Sequence, residues 1–348
     1  MDKETVWAWR LVRQGLSERV SDEAAYDQLL RYMQPVAPAH FSMPGSPPRL
    51  LHRTVFDDGQ AADALRARAK LVKGRFWGGN IGYVLAEDLG LYAAAFRKPI
   101  SRFTPIQEHL LDTLRGTGPL PPKLLREETG LLSKKIMPAL HRLQRAFLVY
   151  EAQEDNSWER PWSLFAAEWP DVDPEDMPWE RAGAEVLRRF LQAHVFATFT
   201  QLCNWSQFGV RPLKKLLDQM VEGGDLVCCE VAGLGEGWIR SEDKNLEVKR
   251  PHSSVFMLHK ADMLCKSHMG ELKERFGHRE TLQYVLIDGA FAGAVCGHWR
   301  IGPHDVDDVI VDLSDAEVAA RQSEILEAIR LEYQPPRSSV LRYQGRVL

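Results

Sequence analysis

Two stretches of the chain repeat one order of apolar and polar positions. They are GPLPPKLLREETGLLSKKIMPALHRLQRAFLVYEAQEDNSW and HVFATFTQLCNWSQFGVRPLKKLLDQMVEGGDLVCCEVAGLGEGW. Each opens with a short helical-period stretch that ends at a glycine, Gly130 or Gly209. A basic amphipathic helix follows, then a β-rich run (FLVYEA or DLVCCEV), a turn (EDNS or GLGEG) and a return bearing a tryptophan. Apolar residues three and four apart mark a helix face, and short β-branched runs mark strands. A glycine at a helix end suits a backbone with φ > 0. Thr104-Pro105 and Arg211-Pro212 place proline at a first helical position. Pro138 predicts a helix start or kink near residues 135–137.

Helix, turn, helix and a two-stranded hairpin is the winged-helix plan, whose second helix enters the DNA major groove. That helix carries Lys134, Lys135, Arg142 and Arg145 in one copy and Arg211, Lys214 and Lys215 in the other. A third copy is expected at the N-terminus. It comprises the helices TVWAWRLVRQGLSER and EAAYDQLLRYMQ, a basic helix, a hairpin turning at WGGN, and another helix. RPWSLFAAEWPDVDPEDMPWE, acidic and proline-bearing, reads as a link. After Arg240 the texture changes to short β runs, HSSVFMLHKADML, TLQYVLIDGAFAGAVCGHWRIG and DDVIVDL, closed by a helix that Ser314 or Asp315 caps. The expected fold is α+β, with tandem winged-helix units followed by a small antiparallel, barrel-like β domain. The units are 1–100, 101–175 with its linker, 176–245, and 246–348 with the C-terminal helix and tail.

Charge sharpens this picture. The net charge of −4 argues against a nucleic-acid binder, but its distribution does not. Residues 64–86 hold Arg66, Arg68, Lys70, Lys73 and Arg75 and no acid; residues 129–150 are also basic and acid-free, as is the tail after Tyr333. Segregation of this kind permits a basic face on an acidic protein. The five cysteines show no CxxC spacing, which points to reduced thiols and a cytoplasmic protein, nucleoid-associated when on DNA. No apolar run is long enough to span a membrane, and the start is too polar for a secretory signal. GHWRIGPHDVDD gathers His298, His304, Asp305, Asp307 and Asp308 without metal-ligand spacing. No metal and no small-molecule cofactor are expected, and Trp299, Arg300 and His304 are candidate DNA contacts. Cys228-Cys229 reads as core filling. Trp158, Trp162, Trp169 and Trp179 read as linker packing, although base stacking uses the same residue type.

In sum of motifs, KLVKGRFWGGNIGYVLAEDLGLY, RAGAEVLRRFLQAHVFATFTQLCNWSQFG and LHKADML…LKERFG…TLQYVLIDGAFAGAVCGHWRIGP stand in an order that resembles the AlkZ/YcaQ-type family of DNA glycosylases. The resemblance runs from about the first helix to Leu313. It implies tandem winged-helix units, a small β domain, and action on N-alkylated purines and related cross-links in DNA. It also implies a glutamine-apolar-acidic or glutamine-apolar-glutamine motif after the second helix, with an arginine further on. The matching place is Gln34-Pro35-Val36, in the proline-rich segment YMQPVAPAHFSMPGSPPRLLHR, with Arg53 downstream. Val36 stands where the family has Asp or Gln.

Gln34 and Arg53 are therefore the candidate catalytic residues, with His40 presented by the same segment. A glutamine carbonyl orients water, whereas Val36 cannot; Glu87, Asp88 or Asp57 is the candidate source of a carboxylate. Lys73, Arg75, Lys134, Lys135, Arg142, Arg145, Arg211, Lys214 and Lys215 are the candidate DNA contacts on the helical units. The expected function is monofunctional hydrolysis of an alkylated purine from double-stranded DNA by a monomer. Two alternatives stay open: a non-catalytic DNA-binding or regulatory protein, and a protein-interaction scaffold.

Overall fold

The computed structural model describes all residues except 39–45, 154–158 and 301, so His40 and Trp158 lie outside the described residues. Helix α1 (Lys3–Arg13) starts on Asp2 and α2 (Glu23–Met33) on Asp22, each carboxylate accepting a first-turn N–H. Next come α3 (Asp58–Ala67), the hairpin β1 (Leu71–Phe76) and β2 (Asn80–Leu85), and α4 (Leu89–Phe96). The hairpin turns on Gly78 and Gly79, at φ of 69° and 102°, which side chains beyond glycine rarely adopt.

The second segment holds α5 (Pro105–Thr117), α6 (Pro122–Thr129), α7 (Ser133–Arg145), β3 (Val149–Glu151), β4 (Trp162–Leu164) and the short α8 (Phe165–Glu168). The third holds α9 (Trp179–His194), β5 (Phe196–Ala197), α10 (Phe199–Ser206), α11 (Val210–Glu222), β6 (Leu226–Val231) and β7 (Gly235–Arg240). In it β7 lies between β5 and β6. The last segment holds β8 (Val255–His259), α12 (Met263–Ser267), α13 (Met269–Phe276), β9 (Thr281–Ile287), β10 (Ala290–Cys296), β11 (Asp308–Val311), α14 (Asp315–Arg330), β12 (Arg342–Tyr343) and β13 (Arg346–Val347). Its sheet runs β13-β12-β11-β10-β9-β8. Every pair is antiparallel except β11 with β12, which is parallel.

Several local expectations shift. Gly130 ends α6 in the left-handed region at φ 66°. Gly209 does not repeat this: Gln207 takes the left-handed position after α10, and Gly209, at φ −61°, is the residue before α11. Pro212 falls inside the first turn of α11 rather than at its first residue. Helix α7 runs from Ser133 straight through Pro138. The return strand of the second segment is β4, so the stretch read as a link begins as part of that segment's sheet.

The hydrophobic cores explain how these pieces hold together. Residues 105–164 build their own core around Leu110, Leu140, Leu143 and Trp162. The first and third segments share another, which runs from Tyr26 and Trp77 to Phe190 and Trp205 and also takes in Phe147, Tyr150 and Phe165 of the second. Helix α1 packs away from its sequence neighbours: Val6 belongs to the core of Phe196 and Ile239, and Leu11 to that of Leu258 and Leu286.

Buried ion pairs lock the same seams. Arg13 and Arg240 both grip Asp243, Arg13 at 2.6 Å. Arg53, wholly enclosed, pairs with Asp262 at 2.8 Å and bonds Gln14 and the Leu51 carbonyl, tying the first segment to the last. Removing one member of such a pair strands a buried charge, at a cost of about 3–5 kcal/mol. Arg53→Met should therefore lower stability by about that much in urea unfolding. Arg53→Met with Asp262→Leu should recover much of the loss. A single variant that unfolds at the wild-type midpoint would show that the pair carries no such weight.

Candidate active site and nucleic-acid interface

Gln34 follows the last turn of α2, its N–H donating to the Leu30 carbonyl. Its side chain turns inward and is 1% exposed. The amide Nε2 donates to the Asp88 carboxylate at 2.6 Å, and Oε1 accepts the Leu85 N–H at 2.8 Å. Of the three carboxylates considered from sequence, the structure brings Asp88 to Gln34. Glu87 pairs with Arg31 on the surface, and Asp57 caps α3. Asp88 also meets Arg31 at 3.2 Å and Arg189 of α9 at 2.8 Å.

Beyond Gln34 the chain runs beside β2. Val36 and Tyr83 exchange backbone hydrogen bonds of 2.9 and 2.8 Å. This fixes the register, and Val36 lines a cleft. The cleft is walled by Pro35, Val36 and Leu50 on one side and by Asp262 and Met263 on the other. Its volume is about 20 Å³, room for one water. Asp262 is the acid on its wall, held by Arg53 and capping α12 through the Leu264 N–H. Sequence reasoning missed it. Its signal was ADML, an aspartate before a short apolar helix. Arg53, the other candidate catalytic residue, is wholly buried and has no surface on which to hold a phosphate.

The exposed cations of α7 and α11 converge. Lys98 lies between them, lining one pocket of about 500 Å³ with Arg211 and Lys215, and another of about 310 Å³ with Arg102, Arg142 and Arg145. Arg145 packs on Gly79 at the tip of the β1–β2 hairpin; a side chain at Gly79 would start 2.9 Å from it. On the other side of that tip lies a third pocket, also about 310 Å³, lined by Asn80, Asn204, Gln207, Lys260, Lys266 and Lys273. Pockets on both sides of one hairpin thus form a basic belt, whose lining includes a single acid, Glu180. Lys134, Lys135 and Lys214 are exposed on the same two helices. Lys98, Arg102, Lys260, Lys266 and Lys273 were not expected.

Other candidates lie off the belt. Lys73 is buried against Glu151 at 2.6 Å, which also holds Arg160 at 2.8 Å. Burial pushes the Glu151 carboxyl up, but the two cations outweigh it and hold it below the usual range. Arg75 is spent on Gln144 at 2.7 Å and the Gly79 carbonyl, which joins the hairpin to α7. His304 is 2% exposed, packed edge-on to Tyr333, and is no surface contact. Trp299 and Arg300 are exposed beside Glu280, which accepts the Trp299 N–H. Cys229 is half-buried and packs against the core of Val6, Phe196 and Ile239, whereas Cys228 is exposed and fills no core. Trp162 is core, and Trp169 and Trp179 pack on Tyr150 and Phe208. Among the described residues no group of three His, Cys, Asp or Glu is placed to hold a metal ion. No helix among them is long and apolar enough to cross a membrane.

Comparison with known proteins follows this geometry. Residues 50–328 match the AlkZ-like family, described as DNA glycosylase AlkZ-like. No curated protein matches the chain. Among solved structures, the DNA glycosylase AlkZ of Streptomyces sahachiroi superposes with a TM-score of 0.72 at 17% identity. The match covers 98% of this chain and 99% of that one; at such identity the likeness speaks for the fold.

The belt and the buried cations separate in experiment. Phosphate contacts make log affinity fall with log salt in proportion to their number. Lys214→Glu with Lys215→Glu, or Lys134→Glu with Lys135→Glu, should weaken duplex binding and flatten that slope. Lys73→Gln should instead lower the melting temperature and leave the slope alone. Fluorescence anisotropy across a salt series reads both, and equal slopes in all variants would count against the belt.

Proposed function

The chain belongs to the AlkZ-like DNA glycosylase family, and on that premise we propose that it hydrolyses the N-glycosidic bond of an N7-alkylated purine in duplex DNA. The reading treats residues 101–175 and 176–245 as winged-helix units, in line with their helix–helix–hairpin order. Helices α7 and α11 then face the major groove. The belt runs along the phosphates.

The observation that carries the catalytic part is the one-water cleft between the Gln34–Val36 segment and Asp262. Alkylation at N7 makes the purine a cationic leaving group, so the protein must chiefly place water and stabilise positive charge growing on the sugar. Asp262 supplies the negative charge that Val36 lacks, and Arg53 fixes its orientation. Gln34 acts as a positioning residue. By bonding Asp88 and Leu85 it sets the path of Pro35 and Val36 along the cleft.

One observation favours a second reading, a non-catalytic DNA binder: the Gln34 amide is buried and both of its ends are engaged. Single-turnover release of N7-alkylguanine separates the two. Wild type should release base. Gln34→Ala and Asp262→Asn should slow release on the order of a hundredfold while duplex binding persists. Val36→Asp, which restores the family pattern, should raise the rate. Absence of release by wild type across alkylated duplexes leaves the binder. Wild-type rates in Gln34→Ala and Asp262→Asn would remove these residues from the mechanism.

A further inference from the structure

The pocket on the far side of the hairpin tip has a composition unlike the rest of the belt. Its lining offers three amines and three amides and, among the described residues, no carboxylate. The amine of Lys266 lies 4.4 Å from the centre of the Trp77 ring, and among the described residues no ion pair holds it. Trp77 and Pro35 both pack on Gly82, where a side chain would start 2.7 Å from the indole and 3.1 Å from Pro35. Lys266 thus stands over the ring that shares Gly82 with Pro35, a wall of the one-water cleft. It also lies one helical turn beyond Asp262.

We infer that Lys266 forms a reversible imine with the aldehyde of an abasic deoxyribose in DNA. The inference rests on the DNA reading above and adds an activity to it. The lining decides the class of ligand. Among the described residues no aromatic ring lines it for a base to stack on, whereas its amides and ammonium groups suit a sugar between two phosphates. Lys260 and Lys273 supply the charge for those phosphates. Burial lowers the Lys266 amine to about 8, which raises the share of neutral, nucleophilic amine at neutral pH by roughly 300-fold over an ordinary lysine.

In the step itself the amine nitrogen bonds to C1′. The carbonyl electron pair moves to oxygen, which takes a proton from the new ammonium. The hydroxyl then leaves with a second nitrogen proton as water, so one aldehyde and one amine give one imine and one water. Water reverses the step and frees the aldehyde.

The test uses full-length protein and duplex carrying a preformed abasic site, so base release is not required. Sodium borohydride delivers hydride to C1′ and converts the imine to a stable secondary amine. Wild type should give a covalent protein–DNA species that needs both the abasic site and borohydride. Lys266→Arg keeps the positive charge over Trp77 and cannot form the imine, so it should bind the duplex and give no adduct. Should that variant fail to fold, peptide mapping of the wild-type adduct decides, and must place the link on Lys266. A link to another lysine or to the Met1 amine overturns the inference. So does bound abasic duplex without adduct, which leaves DNA binding intact. Failure to bind duplex at all removes both.

Discussion

Asp88 is buried, and its negative charge must be balanced within the protein. A carboxylate withdrawn from water without partners would cost several kcal/mol. The balance comes from Arg31 on α2 and Arg189 on α9, with Gln34 adding a hydrogen bond. These partners belong to elements far apart in the chain, so the charge is satisfied only when the first and third segments are docked. The shared hydrophobic core supplies the adhesion. The carboxylate supplies the register, because an ion pair tolerates little displacement in a medium of low polarity. The same device recurs at other seams: Asp243 between Arg13 and Arg240, Asp262 with Arg53, and Glu151 between Lys73 and Arg160.

This arrangement reconciles an acidic chain with a basic surface. Each buried acid consumes one or two cations in the interior, and other acids pair locally along helices, as Glu185 does with Arg188 and Arg189. Some of the cations left over gather on the belt, where among the described residues one acid, Glu180, lines the three pockets. Net charge is a sum over both populations and says little about either. Long-range attraction of a polyanion depends on the exposed set alone.

That division also marks where sequence reasoning succeeds and where it stops. Hairpins came through because their turns depend on neighbouring residues: Trp77–Gly79 and Asp288-Gly289 adopt positive φ in place. The helices with exposed cations, α7 and α11, came through because one face is apolar and the other basic. Lys73 and Arg53 misled for the converse reason. Within an acid-free run nothing local distinguishes a paired, buried cation from a free one, and Glu151 and Asp262 lie far along the chain. Lys260, Lys266 and Lys273 were hidden by the opposite effect. Asp262, Glu271 and Glu274 are interleaved with them, and only folding sorts the signs onto different faces. Gln34 follows the second helix as expected, but burial of its amide follows from Asp88, which periodicity alone does not pair with it.

Helix α12 is where the two electrostatic demands of the proposed chemistry meet. A carboxylate is wanted beside a sugar that gains positive charge, and ammonium groups are wanted beside phosphates. Placed together they would neutralise each other, and the carboxylate would repel the strand it is meant to serve. Asp262 at the start of α12 and Lys266 four residues on are separated by about 6 Å along the axis. Pro35 lines the cleft of Asp262, and the buried indole of Trp77 lies under the amine of Lys266, so each charge rests against an apolar group. Arg53 holds the acid from inside, where it adds no positive charge to the belt. One short helix thereby serves both a cleft whose described lining carries an acid and a pocket whose described lining carries none.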